Sequence, residues 1–383
     1  MLNGFDELKD KYDAVALFSG GLDSILAMRV IMEQGLRVLG LHFCSPFFGE
    51  PGSITKWKQL YDVDVRVVDI SAEMLALIKN GPKNGFGSCL NPCTDCHTLM
   101  ATKAREIMET INAKFIISGE VLWQRPMRQR PDAMNIVHRD SKAKGILLRP
   151  LSALKLEPTE VEKNGLVDRN RLLGIYGRGR MDQLQLAKAY GFTEIPASAG
   201  GCILTERKSS ARIWVIFNEF EQPASEDFLL TKAGRFFHYD GHILAINKTS
   251  ANAELLEACH KDSDIVLELA DDMGPLAVGR CEKPWSDAMI AEAAALMASY
   301  ANKAIRDLPA GTPVRVSVKQ HGEEHFISVV PRRATLFKEA IWEEAAASLK
   351  EVNKRMTEQR LEAKREKFFT WISRKEYKKQ HER

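Results

Sequence analysis

Six residues, Ser19-Gly20-Gly21-Leu22-Asp23-Ser24, limit the fold more than any other stretch of the 383-residue chain. They follow an apolar run, Ala14 to Phe18, that reads as a buried parallel strand. They open an amphipathic stretch, Ile25 to Gln34, that reads as a helix closed by Gly35. A strand that passes through a two-glycine turn into a helix is a unit of a parallel α/β sheet. Glycine has no Cβ, so the turn can be tight and consecutive N–H groups can point at one anion, with the positive end of the helix dipole behind them. Ser19 and Ser24 add hydroxyls at the two ends. An ordinary strand-to-helix turn capped by Ser and Asp is the bland alternative; both serines and Asp23 in register after a strand favour phosphate binding. No Gly-Lys-Ser/Thr follows, so this is not the Walker pattern.

Further strands are expected at Arg37–Phe43, Val63–Ile70 and Phe115–Gly119, with a helix from Thr98 to Ile111 before the last of them. Strands alternating with helices give a doubly wound parallel sheet with helices on both faces. Ligands of such sheets lie beyond the C-terminal strand ends. That places Ser19–Ser24, His42-Phe43-Cys44 and Gly119-Glu120 along one edge, with Phe43 and Gly119 as expected nucleotide neighbours. Packed strand-end residues are the simpler reading of His42 and Cys44. Just after Gly119, Trp123 to Pro131 holds three arginines, Arg125, Arg128 and Arg130, beside an indole and two prolines. That composition suits a loop presenting guanidinium groups to the phosphates of RNA, the alternative being a solvated loop. A short helix is expected from Met181 to Tyr190, with Gly191 as its C-cap.

The seven cysteines cluster in part. Cys89, Cys93 and Cys96 fall within eight residues, and Cys202 sits in a second glycine turn, Ser198-Ala-Gly-Gly-Cys-Ile203. A Cys-x-x-Cys at a helix start brings two thiols together at the positive end of the dipole. As a zinc site, Cys93, Cys96 and Cys202 need a fourth ligand from Cys89 or His97. As an iron–sulfur site, three thiolates hold a four-iron cluster with one iron open. Without metal, Cys93 and Cys202 would carry and resolve a transferable sulfur. Cys259 and Cys281 read as packed residues. The spacing Cys89-x3-Cys93-x2-Cys96 also matches radical S-adenosylmethionine enzymes, a reading that gives the phosphate loop no role.

Ser19 to Ser24 resembles the pyrophosphate-loop motif of the ATP-pyrophosphatase superfamily. Asn91-Pro92-Cys93-x-x-Cys96 resembles the corresponding motif of tRNA 2-thiouridylases. Gly119-Glu120, Gln124-Arg125-Pro126-Met127 and Ala199-Gly-Gly-Cys-Ile-Leu-Thr205 resemble the domain related to tRNA 4-thiouridine synthases, from residue 12 to about 206. The resemblance implies an ATP-dependent tRNA sulfurtransferase that adenylates a uridine oxygen, releases pyrophosphate and replaces the oxygen with sulfur. It implies that Ser19, Gly20, Gly21 and Ser24 hold the pyrophosphate end of ATP and that Asp23 positions Mg2+. It further implies a 4Fe-4S cluster on Cys93, Cys96 and Cys202, where the residues alone allow zinc or no metal. Catalysis then falls to Asp23, Cys93 and Cys202, and the sulfur donor is free sulfide or a persulfide from a cysteine desulfurase. The alternatives are adenylation of a small molecule for sulfur or nitrogen transfer, and a non-catalytic RNA-binding protein.

From about Arg207 the composition shifts toward short strands, Phe236–Ile246, Ile265–Leu269, Val314–Val318 and His325–Val330, with a helix from Asp287 to Ile305. Residues 209–335 are expected to form a separate α+β domain, after a thiolation domain over 1–208. It weakly resembles an RNA-associated domain shared with ribosome-quality-control proteins. His238 and His242 are four apart, but Asp240-Gly241 between them argues for a turn. Residues 336–383 read as a charged helical tail. Between Lys350 and Arg383 stand 12 Lys or Arg against 6 Asp or Glu, in a chain whose net charge is +3, so any general attraction to nucleic acid is concentrated there. No apolar run approaches the roughly 18 residues that span a bilayer, and the polar stretch Met1–Lys11 lacks a signal-peptide core. A cytoplasmic protein without membrane contact is expected.

Overall fold

A computed structural model describes residues 4–125, 129–196, 202–301 and 307–381. It divides into two compact units, Met1–Thr205 and Glu206–Arg383.

The first unit is built on β1 (Ala14–Leu17), α1 (Leu22–Met32), β2 (Val38–Cys44), α2 (Ile54–Tyr61), β3 (Asp64–Asp69), α3 (Ser71–Lys79), α4 (Cys93–Thr110), β4 (Phe115–Ser118), α5 (Pro131–Asp140), β5 (Leu147–Leu148), α6 (Glu160–Lys163) and α7 (Met181–Ala189). Its five strands pair in the order β3-β2-β1-β4-β5, all parallel. The doubly wound sheet expected from the alternation is therefore present. The chain winds one way from β1 to β3 and the other way from β4 to β5, so the topological switch lies between β1 and β4, where such sheets open a crevice.

Burial explains which runs became which strands. β1 and β4 lie inside the sheet and are buried almost throughout, whereas β3, on the edge, alternates between exposed and buried residues. Helix α1 buries Leu22, Ile25, Leu26, Met28, Val30 and Ile31 in one core with Phe18, Phe115, Ile117 and Leu148. Each such side chain, fully withdrawn from water, contributes about 1.5–3 kcal/mol. The helix begins at Leu22, three residues before the expected start, so Asp23 and Ser24 stand in its first turn rather than ahead of it.

The second unit comprises α8 (Arg207–Glu219), α9 (Ser225–Leu229), β6 (Arg235–Tyr239), β7 (His242–Ile246), α10 (Ser250–Cys259), β8 (Ile265–Leu269), β9 (Ala277–Cys281), α11 (Asp287–Ala298), β10 (Val314–Gln320), β11 (Glu323–Val329), β12 (Lys338–Glu339) and α12 (Trp342–His381). Its sheet runs β11-β10-β8-β9-β7-β6-β12 and is antiparallel. Asp240 and Gly241, both at positive φ, turn β6 into β7 as the Asp-Gly pair predicts. Buried Arg280 ties the unit together, pairing with Asp264 at 2.6 Å and Asp227 at 2.9 Å. The sheet extends to Glu339 and Phe337 is buried in its core, so the tail proper is the single helix α12. Among the described residues no helix is long and apolar enough to cross a membrane.

Candidate active site

The loop from Ser19 to Ser24 leaves β1 at the topological switch. Gly20 holds φ +76°, and a Cβ there would lie 2.3 Å from the Trp57 ring, so both backbone and packing require glycine. The two serines knit the loop to itself. Ser24 Oγ donates to the Gly21 carbonyl at 2.8 Å and accepts the Ser19 N–H at 3.3 Å. Ser19 Oγ lies 3.2 Å from Ser24 Oγ and accepts the Gly21 N–H at 3.3 Å. Their hydroxyls thus shape the turn. The N–H groups of Gly20, Leu22 and Asp23 have no partner among the described residues. Three adjacent orphan donors at the start of an eleven-residue helix are an anion-binding arrangement.

Gly119, at the end of β4, stands against this loop. A Cβ on it would come within 2.6 Å of Ser24 N and Cα, so the neighbour that demands a glycine is the first turn of α1. Asp23 projects from the same turn, and its Oδ1 is buried without a hydrogen-bond partner among the described residues. Burial raises its carboxyl pKa, opposed by the amides of Gln124 and Gln183 and the charges of Arg180 and Arg125. Gln183 is fully buried and turns its amide to the Asp23 carboxyl. Sequence reading passed over Gln183 as a site residue, since a glutamine in a polar helix ordinarily faces water.

The remaining expected residues divide. Phe43 has its ring buried, leaving only main chain to meet a ligand. His42 is a strand-end packing residue. Its Nδ1 lies 3.1 Å from the Phe18 carbonyl, and its Nε2 accepts the Glu50 N–H at 2.8 Å, so the imidazole is neutral, as the lowering of its pKa by burial also requires. Arg125 is exposed and contributes to the field at Asp23. Arg130 is ion-paired with Asp132 at 3.1 Å, and Arg128 lies outside the described residues.

Among the described residues no cysteine forms a disulfide. Burial pushes Cys44 and Cys281 up to about 11 and also raises Cys259, which sets these three apart from sulfur chemistry. Cys93 and Cys96 are half-buried, one turn apart at the start of α4. The buried Asn91 amide donates to Cys93 Sγ at 3.1 Å while its Oδ1 accepts the Cys89 N–H at 3.2 Å. Cys202 Sγ lies 3.8 Å from the Phe47 carbonyl, and the glycine turn before it falls within 197–201, outside the described residues. Among the described residues no three His, Cys, Asp or Glu side chains converge to hold a metal. Three thiols suit a cluster chemically, and two of them, Cys93 and Cys96, share one turn of α4.

Behind the thiols runs a buried polar chain. His97 Nδ1 lies 3.2 Å from Glu120 Oε1, and Glu120 Oε2 accepts Arg149 Nε at 2.9 Å. The other side of the Arg149 guanidinium meets His138 Nε2, whose pKa is lowered to about 4 by burial and then by Arg149. His97 faces Glu120 through Nδ1, which leaves Nε2 as the ring nitrogen that a metal could take.

Residues 10–163 match the ThiI family, described as thiamine biosynthesis protein. A probable tRNA sulfurtransferase from Lysinibacillus sphaericus (strain C3-41) is 28% identical over 156 residues, covering 39% of this chain and 37% of that protein. The chain thus spans well under half the length of this relative. Among solved structures, the C-terminal part of a fibronectin/fibrinogen-binding protein from Streptococcus suis aligns over 39% of this chain and 73% of its own, at 15% identity and TM-score 0.23. A predicted subunit of tRNA methyltransferase from Methanocaldococcus jannaschii aligns over 36% and 68%, at 12% identity and TM-score 0.27. An NMN synthetase from Francisella tularensis aligns over 52% and 95%, at 10% identity and TM-score 0.25. The family match, the order of the motifs and the parallel sheet agree, and over residues 10–163 the first unit is similar to the ThiI family.

Proposed function

We propose that the chain is an ATP-dependent tRNA sulfurtransferase. The observation that carries this reading is the trio of unpartnered N–H groups on Gly20, Leu22 and Asp23 at the switch point of the sheet. In this reading they receive the pyrophosphate end of ATP, and the α-phosphorus faces the target base. A uridine carbonyl oxygen attacks that phosphorus and pyrophosphate leaves, so a poor leaving group on the ring becomes AMP. Asp23, with a buried and unpartnered Oδ1, fits a hard cation such as Mg2+, which when bound would neutralise charge on the phosphates. To reach the loop the base must leave its stack.

Sulfur then replaces AMP at the ring carbon. Because no three candidate ligands converge among the described residues, the route proposed uses thiols alone. The terminal sulfur of a Cys93 persulfide attacks the carbon and AMP departs with the oxygen. Cys202 thiolate next attacks the Cys93 sulfur, freeing the thiouridine and forming a disulfide that an external dithiol must reduce. A cluster on Cys93, Cys96 and Cys202 would instead require Cys202 to leave the Phe47 carbonyl. Iron and sulfide analysis of anaerobically purified protein separates the two routes, since about four irons per chain would replace the thiol route with the cluster. The overall reading is tested by tRNA-dependent release of pyrophosphate together with nucleoside analysis of the tRNA. Absence of both would overturn it.

A further inference from the structure

The second unit gathers five cations that make no ion pair among the described residues. Lys208 and Arg212 lie on one face of α8, four residues apart, and Arg212 Nη1 donates to the Thr231 carbonyl at 2.7 Å. Arg235 begins β6 and Lys248 follows the end of β7. The register Arg235↔Ile246 puts both at one end of that hairpin, and Arg235 Nη1 donates to the Asn247 carbonyl at 2.9 Å. Tyr300 joins Arg235 to a fifth cation, with the guanidinium carbons of Arg235 and Arg333 lying 4.1 Å and 3.4 Å from its ring centroid. Among the described residues none of the five makes an ion pair, although exposed cations elsewhere in the unit do, Lys319 with Glu268 at 2.7 Å among them.

Like charges assembled without counter-charge repel one another, and the fold must hold them by other means. Here the means are visible: carbonyl oxygens fix Arg212, Arg235 and Arg333, and the Tyr300 ring attracts the latter two. The strain shows at Lys248, whose pKa is lowered by burial and then by Lys208, Arg235 and Arg212. Glu339, on the edge strand beside Phe237, is the acid whose field reaches Arg212, Arg235 and Lys248, but it lies beyond ion-pair distance.

We infer that Lys208, Arg235, Lys248 and Arg333 form a binding surface for the phosphate backbone of RNA, with buried Arg212 adding its charge from beneath. Guanidinium and ammonium groups spread over a helix, a hairpin end and a loop suit successive phosphodiesters better than a single small anion. The choice of tRNA as the RNA rests on the function proposed above; the anionic character of the ligand does not.

The test is fluorescence titration of the full chain with labelled tRNA across a salt series, comparing wild type with a Lys208→Gln/Lys248→Gln/Arg333→Gln variant, all three positions being exposed. Loss of three phosphate contacts should reduce the slope of log affinity against log salt by about 2–3, and weaken binding at least about tenfold at low salt. Replacement of the ion-paired Arg315 and Lys319 should leave the slope unchanged. Glu339→Gln should tighten binding, a gain that misfolding cannot mimic. An unchanged slope in the triple variant, no gain with Glu339→Gln, or failure of the wild type to bind tRNA each overturns the inference. So would a slope restored by competition with an acidic peptide. Binding with these slopes but without tRNA-dependent pyrophosphate release would sustain the surface and overturn the enzymatic reading instead.

Discussion

Replacing Gly119 by alanine tests how closely the phosphate loop depends on β4. The new methyl would meet Ser24 N and Cα at 2.6 Å, and both are backbone atoms that no rotamer change can move aside. To restore ordinary van der Waals separation, the end of β4 and the first turn of α1 must part by about 0.8 Å. Overpacking of this size costs about 1–3 kcal/mol, which lowers the melting temperature by roughly 2–4 °C per kcal/mol in a unit of this length. The functional cost should be larger than the structural one. The displaced turn carries the Leu22 and Asp23 N–H groups, and a shift near 1 Å in a positioning element lowers turnover by about a hundredfold. The assay is pyrophosphate release under saturating ATP and tRNA, run beside a thermal melt of the same preparation. A Gly119→Ala protein that melts and turns over like wild type would refute the argument that this glycine exists to admit the helix. Destabilisation without loss of turnover would show that the loop is not the reacting centre.

Asp23→Asn removes a carboxylate whose burial already disfavours its charge, so stability at neutral pH should hold or rise while pyrophosphate release falls at least about a hundredfold; parallel loss of both would contradict the role given to Asp23. Breaking the buried Glu120–Arg149 pair by Arg149→Met should cost about 3–5 kcal/mol, measured by denaturant melts, and Glu120→Leu added to it should recover much of the loss. His138 is held neutral, with a folded-state pKa of about 4 against about 6.5 unfolded. Its contribution to stability is therefore complete above pH 6.5 and lost as pH falls toward 4. A His138→Gln protein should lack that part of the acid dependence in melts between pH 7 and 4. Asn91→Ala should leave the Cys93 thiol accessible but misdirected, so that mass spectrometry finds persulfide loading at Cys93 reduced while Cys202 labels as in wild type.

How much of this could be read in advance follows from the range of each interaction. The strands at Val38–Cys44, Asp64–Asp69 and Phe115–Ser118 are legible because an inner strand is apolar along most of its length and an edge strand alternates, both local properties. The start of α1 is not, because Leu22-Asp23-Ser24 has the composition of a turn. What places these residues in the helix is the Ser19–Ser24 hydrogen bonding, a property of the folded loop. Strand β5 is two residues long and has no period to detect. The chain His97–Glu120–Arg149–His138 draws on four separate elements, and Gln183 is polar yet fully buried; neither leaves a pattern in neighbouring residues. The cysteine motif marks Cys93 and Cys96 correctly as neighbours on one helix turn, but spacing cannot say whether Cys202 reaches them.

The self-bonded serines of the phosphate loop bear on the direction of the proposed reaction. A cradle braced by its own hydroxyls is already in its final shape when empty, so little ordering is left to accompany substrate binding. Such a cradle holds the diphosphate that leaves as readily as the same atoms within the nucleotide that arrived. Released pyrophosphate should therefore linger as a competitor, and removal of that product by a separate hydrolase would draw the cycle forward.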